Sequence, residues 1–177
     1  MTKKLHEPVE KFLATMAAKY GFLWVINPQV KKLTPSEIRR GKKLVKTALY
    51  HIRRGLETGS IYAGSYYNYI LVSTFAGPEH VDELLNLQGF SAFWSQNDRS
   101  QRSRIMTALE RNVQPSDIEK LEEFRKRLEG IEYDTGTKCN RYDQKDFGRV
   151  IAAAQGDYTP NKSNFAHSAS ASANFQF

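Results

Sequence analysis

Seven cations and one tyrosine lie close together between residues 39 and 54 of this 177-residue chain. If this stretch is helical, with about 100° of rotation per residue, all eight side chains fall on one continuous arc of about 160°. Guanidinium and ammonium groups bind phosphate oxygens, which makes a phosphate-binding surface the simplest chemistry for such an arc. We call these eight residues the basic face: Arg39, Arg40, Lys42, Lys43, Lys46, Tyr50, Arg53 and Arg54.

The helix that must carry the basic face has a clear start and a buried side. Thr34 can cap it, Pro35 suits the first helical position, and Glu37 completes a capping box, while Gly59 can end it. The side opposite the cations carries an apolar stripe and, beside it, three small residues spaced by seven that would let a neighbouring helix approach closely. These residues are Ile38, Val45, Leu49, Ile52 and Leu56 in the stripe, and Gly41, Ala48 and Gly55 beside it.

The basic face holds most of the excess charge of the chain. Its seven cations, less Glu37 and Glu57, leave +5 in the segment, against +7 for the whole chain. A solvated helix usually alternates charge signs, because like charges four residues apart repel. A negatively charged partner is therefore expected at this surface.

A second basic helix is predicted between residues 98 and 112. It carries Arg99, Arg102, Arg104 and Arg111 opposite Ile105, Ala108 and Leu109. We therefore add Arg99, Arg102 and Arg104 to the candidate nucleic-acid-binding residues. Among the tyrosines, Tyr50 alone is predicted at the surface, because those near residues 62–69 have the spacing of core residues, although they could also stack on bases.

Two short motifs suggest catalysis. Asp134 followed by Asp143-Gln144-Lys145 resembles the spacing of nuclease families in which two carboxylates hold a divalent metal and a lysine assists the attacking water. Asp134-Thr135-Gly136 resembles the catalytic loop of aspartic proteases, but the strands and the second carboxylate that such a site needs are missing from the pattern. Acidic residues at a turn and at a helix cap have an ordinary structural explanation. A metal-dependent nuclease therefore ranks third among the functions considered.

The remaining residues with catalytic potential do not form a recognisable site. The four histidines (His6, His51, His80 and His167) are scattered, and His51 has the position of a packed side chain. Cys139 is the only cysteine, which excludes an internal disulfide and favours a reducing compartment. No phosphate-binding glycine motif and no dinucleotide fingerprint occurs in the sequence. We expect no metal, no cofactor and no enzymatic activity.

The predicted architecture is mainly α-helical, with about six helices in one domain over residues 1–156. Residues 66–75 are compatible with helix or strand, and helix is favoured; a helix opening with a Ser116–Glu119 capping box is predicted up to residue 130. The segment 131–142 is compatible with a short hairpin. Residues 157–177 have low complexity and form a flexible or docking tail that carries Phe165, Phe175 and Phe177.

The leading functional hypothesis is a non-enzymatic nucleic-acid-binding protein with weak sequence preference, DNA or RNA being left open. The alternative is a structural or assembly subunit, for example of a viral particle, that docks on a neighbouring copy through residues 157–177. A third partner, an anionic membrane surface, fits less well because the apolar stripe is needed for the core. The sequence begins without a signal-peptide pattern, so we expect a soluble intracellular protein, cytoplasmic, nucleoid-associated or in a virion.

Overall fold

The computed structural model describes residues 7–58, 66–87, 99–129 and 141–157 of the chain. Within these ranges the chain forms eight α-helices and no β-strand, which confirms the prediction of a mainly α-helical fold. Short 3-10 turns at Val30–Lys32, Pro78–His80 and Pro115–Asp117 precede α3, α5 and α7. The helices are α1 (Glu7–Tyr20), α2 (Phe22–Ile26), α3 (Pro35–Thr58), α4 (Tyr66–Phe75), α5 (Val81–Leu85), α6 (Arg99–Asn112), α7 (Ile118–Glu129) and α8 (Arg141–Gln155).

Helix α4 is the most deeply buried element. It packs against α1, α3 and α6, and every side chain from Asn68 to Phe75 is buried. Because this stretch has no solvent face, its sequence lacks the amphipathic period that identifies a surface helix. The hydroxyls of Ser73 and Thr74 donate to the carbonyl of Ile70 at 3.0 and 2.6 Å, so these buried polar groups are satisfied within the helix. The favoured helical prediction for residues 66–75 is confirmed.

Helix α3 begins with the predicted capping box. The backbone N–H of Thr34 donates to the Glu37 carboxylate at 2.7 Å, and the N–H of Glu37 donates to Thr34 Oγ1 at 3.3 Å. The same carboxylate accepts hydrogen bonds from Lys19 Nζ at 2.6 Å and from the Tyr20 hydroxyl at 2.8 Å. The hydrogen bond from Lys19, together with that from the Thr34 N–H, lowers the pKa of Glu37 to about 2. One carboxylate therefore starts α3 and ties it to the end of α1.

The buried side of α3 is the predicted one. Val45, Leu49 and Ile52 are fully buried, and Ala48 and Gly55 are buried beside them. A Cβ atom placed at Gly41 would lie 2.5 to 2.7 Å from three ring atoms of Phe75 on α4. The expectation that small residues admit a close neighbouring helix is therefore confirmed at Gly41.

The beginnings of two helices, α2 and α7, differ from the sequence predictions. The apolar run Phe22–Ile26 is short enough to suggest a buried strand or an extended connector, but in the structure it forms α2, which follows a turn at Gly21 with φ at 89°. The capping box expected at Ser116 forms two residues earlier: the Asp117 carboxylate accepts the N–H of Gln114 at 2.8 Å, within a 3-10 turn that starts at Pro115.

Parts of the predicted organisation lie outside the described residues. The segment proposed as a hairpin, 131–142, is outside them up to residue 140, and α8 begins at Arg141. Of the predicted tail, residues 158–177 are outside them as well. The boundary between a helical domain ending at 156 and a tail beginning at 157 remains a prediction.

Candidate functional site

The basic face lies on the outer side of α3, opposite its buried stripe. Arg39, Arg40, Lys42, Lys43, Lys46 and Arg54 are exposed, and Arg53 is half-buried. Tyr50 stands among them with 47% of its surface exposed. All eight predicted residues of α3 are thus brought together on one surface by a single rigid helix.

The structure divides the basic face into two parts according to ion pairing. At its C-terminal end, Arg53 donates to the carboxylate of Glu83 on α5 at 2.6 Å, and Arg54 donates to the carboxylate of Glu57 at 3.1 Å. Arg40 lies beside α1, with its guanidinium 5.7 Å from the centre of the Phe12 ring. These three cations already have neighbours within the fold.

Four cations at the N-terminal end have no such neighbours. The side chains of Arg39, Lys42, Lys43 and Lys46 make no hydrogen bond or ion pair with any residue that the structure describes. We call these four residues the N-terminal patch. Along the helix they span about 10 Å of axis and about 100° of circumference. Four positive charges are therefore concentrated on two turns of helix, and their mutual repulsion favours the approach of an anion.

The predicted contribution of α6 needs correction. Arg102 and Arg104 are only 7% and 6% exposed, because α6 packs against α4 on one side and α8 on another. The guanidinium of Arg104 lies 5.6 Å from the centre of the Tyr66 ring and donates to the Tyr66 hydroxyl at 3.2 Å. These two arginines cannot extend an exposed basic surface, and the side chain of Arg99 lies outside the described residues.

Arg111 and Asn112, also on α6, serve the fold directly. Arg111 donates to the carbonyls of Ser73 and Thr74 at 2.6 and 3.3 Å, and Asn112 Nδ2 donates to the carbonyl of Ala76 at 2.9 Å. A cation at the C-terminus of a helix satisfies its last carbonyls and complements its dipole. Burial lowers the pKa of the Arg111 guanidinium. The C-terminal end of α6 therefore caps the C-terminus of α4.

Lys31 and Lys32 were missed by the helical-wheel argument. Both are exposed in the 3-10 turn that precedes α3, and the side chain of neither makes a hydrogen bond or ion pair within the described ranges. The wheel could not include them because they precede the helix, although the lysine doublet itself was a visible signal. They add positive charge near the end of α3 that carries the N-terminal patch.

The other candidate chemistry gains no support. Across residues 7–58, 66–87, 99–129 and 141–157, no group of three or more His, Cys, Asp or Glu side chains is placed to hold a metal ion. Asp134 and the side chains of Asp143 and Lys145 lie outside those described, so the proposed nuclease motif stays a prediction. His51 is buried, as predicted, with its ring 5.4 Å from that of Tyr50. None of the helices described is long and apolar enough to cross a bilayer.

No protein-family model, no curated protein and no solved structure matches this chain. A functional proposal therefore depends on the geometry and charge of α3.

Proposed function

We propose that the protein binds nucleic acid through its phosphate backbone, without catalysis, and that the N-terminal patch of α3 is the primary contact. The observation that carries this proposal is the group of four exposed cations, Arg39, Lys42, Lys43 and Lys46, for which the described fold supplies no counter-charge. A polyanion with regularly spaced charges can contact all four at once, whereas a small anion would leave most of the repulsion in place.

The rest of the basic face contributes less under this proposal. A phosphate that binds Arg53 or Arg54 must first replace Glu83 or Glu57, and the ion pair lost offsets part of the gain. Contacts to phosphate carry no base sequence information, so weak sequence preference is expected. With four phosphates neutralised, the slope of log affinity against log salt concentration is about −3.6 for duplex DNA and about −2.8 for a single strand.

The test is a salt titration of binding, by fluorescence anisotropy, to labelled oligonucleotides. Lys46→Glu is expected to weaken binding and to reduce the magnitude of the salt slope by about one or more, since one phosphate contact is lost. Lys126→Glu on α7 is the matched control, because Lys126 is also exposed and the substitution changes the net charge by the same amount.

A flat salt dependence, or equal effects of Lys46→Glu and Lys126→Glu, contradicts the proposal. Equal effects would mean that binding follows net charge and not the position of the cations. The absorbance ratio at 260 and 280 nm of the purified protein gives an independent check, since co-purified nucleic acid raises it.

A further inference from the structure

We infer that the preferred ligand of the basic face is single-stranded nucleic acid, with Tyr50 stacking on an unpaired base beside the N-terminal patch. This inference rests on the proposed function and names the ligand class. Tyr50 follows Lys46 by one helical turn, and its direction from the helix axis lies between those of Arg39 and Lys43. A strand that binds the patch and continues along the helix axis towards the C-terminus of α3 therefore reaches the Tyr50 ring.

The ring of Tyr50 is positioned for a contact that the fold itself does not use. Nearly half of its surface is exposed, and its hydroxyl makes no hydrogen bond to a residue that the structure describes. The Tyr50 ring packs edge-to-face with the ring of His51, with 5.4 Å between centres and 71° between planes. His51 is buried, so it supports the tyrosine ring while nearly half of Tyr50 stays open to solvent.

Other exposed aromatic residues lack this setting. Tyr66 and Tyr67 are also exposed, so the prediction that Tyr50 alone lies at the surface is wrong. Both stand on α4, which carries no cation, and the guanidinium of Arg104 already lies 5.6 Å from the centre of the Tyr66 ring. Phe22 is exposed on α2, outside the basic face. Tyr50 is the aromatic side chain that α3 places within its row of cations.

The cations of α3 differ in their ion pairing on the two sides of Tyr50. Before it stand the four cations of the N-terminal patch; after it, the cations Arg53 and Arg54 are engaged by Glu83 and Glu57. Phosphates are thus attracted up to Tyr50 and much less beyond it. With one phosphate per cation, the patch accommodates about four nucleotides.

The geometry favours an unpaired strand over a duplex. In a duplex the faces of the bases are stacked on one another, and a ring fixed on a long helix cannot reach them without disrupting a base pair. In a single strand each base offers a free face, and stacking on an aromatic side chain tolerates any sequence. Tyr50 would therefore strengthen single-strand binding without adding sequence preference.

The experiment compares three labelled ligands of equal phosphate number: an oligothymidine, the same strand built from abasic units, and a duplex. Tyr50→Ala is expected to weaken oligothymidine binding about 5- to 150-fold, the loss that corresponds to one stacked base. Binding to the abasic strand and to the duplex should change less than about 2-fold, because neither offers a base face, and the salt slopes should stay unchanged, because tyrosine carries no charge.

Two further variants separate stacking from side-chain volume. Tyr50→Phe keeps the ring and is expected to bind oligothymidine within about 2-fold of the parent, since stacking does not need the hydroxyl. Tyr50→Leu keeps much of the bulk without an aromatic ring and should bind like Tyr50→Ala. Thermal unfolding of each variant checks that the fold is retained.

The outcomes distinguish the two proposals. If Tyr50→Ala leaves oligothymidine binding unchanged, or weakens binding to the abasic strand equally, stacking is overturned. The phosphate-binding proposal then still stands wherever Lys46→Glu reduces the affinity and the salt slope. If no oligonucleotide binds with salt-dependent affinity, both proposals are overturned.

Discussion

Replacing Gly41 with alanine tests how closely α3 and α4 approach. A helical Gly→Ala change by itself stabilises by about 0.8 to 1.0 kcal/mol. At Gly41, however, the new methyl group would lie 2.5 to 2.7 Å from the ring of Phe75, which is itself buried edge-on against Phe12 with 5.6 Å between ring centres. Overpacking of this kind typically costs about 1 to 3 kcal/mol. The net expectation for Gly41→Ala ranges from nearly neutral to a loss of about 2 kcal/mol.

Gly148 supplies the matched control for this prediction. It lies inside α8, and a Cβ atom there would meet nothing within 4 Å, so Gly148→Ala should stabilise by about 1 kcal/mol through helix propensity alone. The difference between the two variants removes the propensity contribution and measures the packing cost, about 1 to 3 kcal/mol.

Urea unfolding, with unchanged slopes and shifted midpoints, gives both free energies. If Gly41→Ala stabilises as much as Gly148→Ala, the close contact between Gly41 and Phe75 is refuted. A Gly41→Ala variant combined with Phe75→Leu should recover part of the loss, because the smaller side chain makes room for the methyl group.

Three further predictions concern the stability of the scaffold. The pKa of Glu37 in the folded protein, about 2, is below its ordinary value of 4.5. The contribution of the Glu37 carboxylate to stability is therefore complete above about pH 4.5 and is lost as the pH falls towards 2. Over this pH range, the unfolding midpoint of the Glu37→Gln variant should approach that of the parent protein. Arg111→Met should cost about 2 kcal/mol, because the last carbonyls of α4 lose a charged donor, whereas Arg125→Met, at an exposed pair, should cost less than about 1 kcal/mol in thermal unfolding. Lys46→Glu should unfold at the same temperature as the parent or slightly higher, since it replaces repulsion from Lys42, one turn away, by attraction.

The sequence was most informative for α3, because its signals are local. The capping box of Thr34 and Glu37 depends on residues three apart, and the two sides of the helix follow from its period alone. What the sequence could not supply was the partner of each cation. Arg53 pairs with Glu83, which is thirty residues away, so the reduction of the exposed charge at this end of the basic face depends on tertiary packing.

Helices α4 and α6 show where the hydrophobic period of a sequence fails to predict which side chains are buried. From Asn68 to Phe75, helix α4 is buried on all sides, so this stretch contains no polar side from which a helix could be inferred. Helix α6 packs against α4, α5 and α8, so it is buried over a wider arc than its apolar residues cover. Arg102 and Arg104, which the sequence pattern placed opposite those residues, lie within this buried arc. A buried arginine that contacts a ring or a carbonyl has the same one-letter pattern as an exposed one.

The contrast between α6 and α3 is the strongest physical support for the binding role that we propose for the N-terminal patch. The cost of burying Arg104 and Arg111 is offset by defined contacts: Arg104 contacts the Tyr66 ring, and Arg111 donates to the last carbonyls of α4. The four cations of the N-terminal patch make no comparable contact in the described fold, and their mutual repulsion opposes helix formation. Residues that cost stability where they stand are expected at functional sites, since only a partner can compensate for them. Under the proposed function, affinity and stability should therefore respond in opposite directions when this patch is changed, whereas a substitution at Arg111 should lower stability and leave the exposed cations of α3 in place.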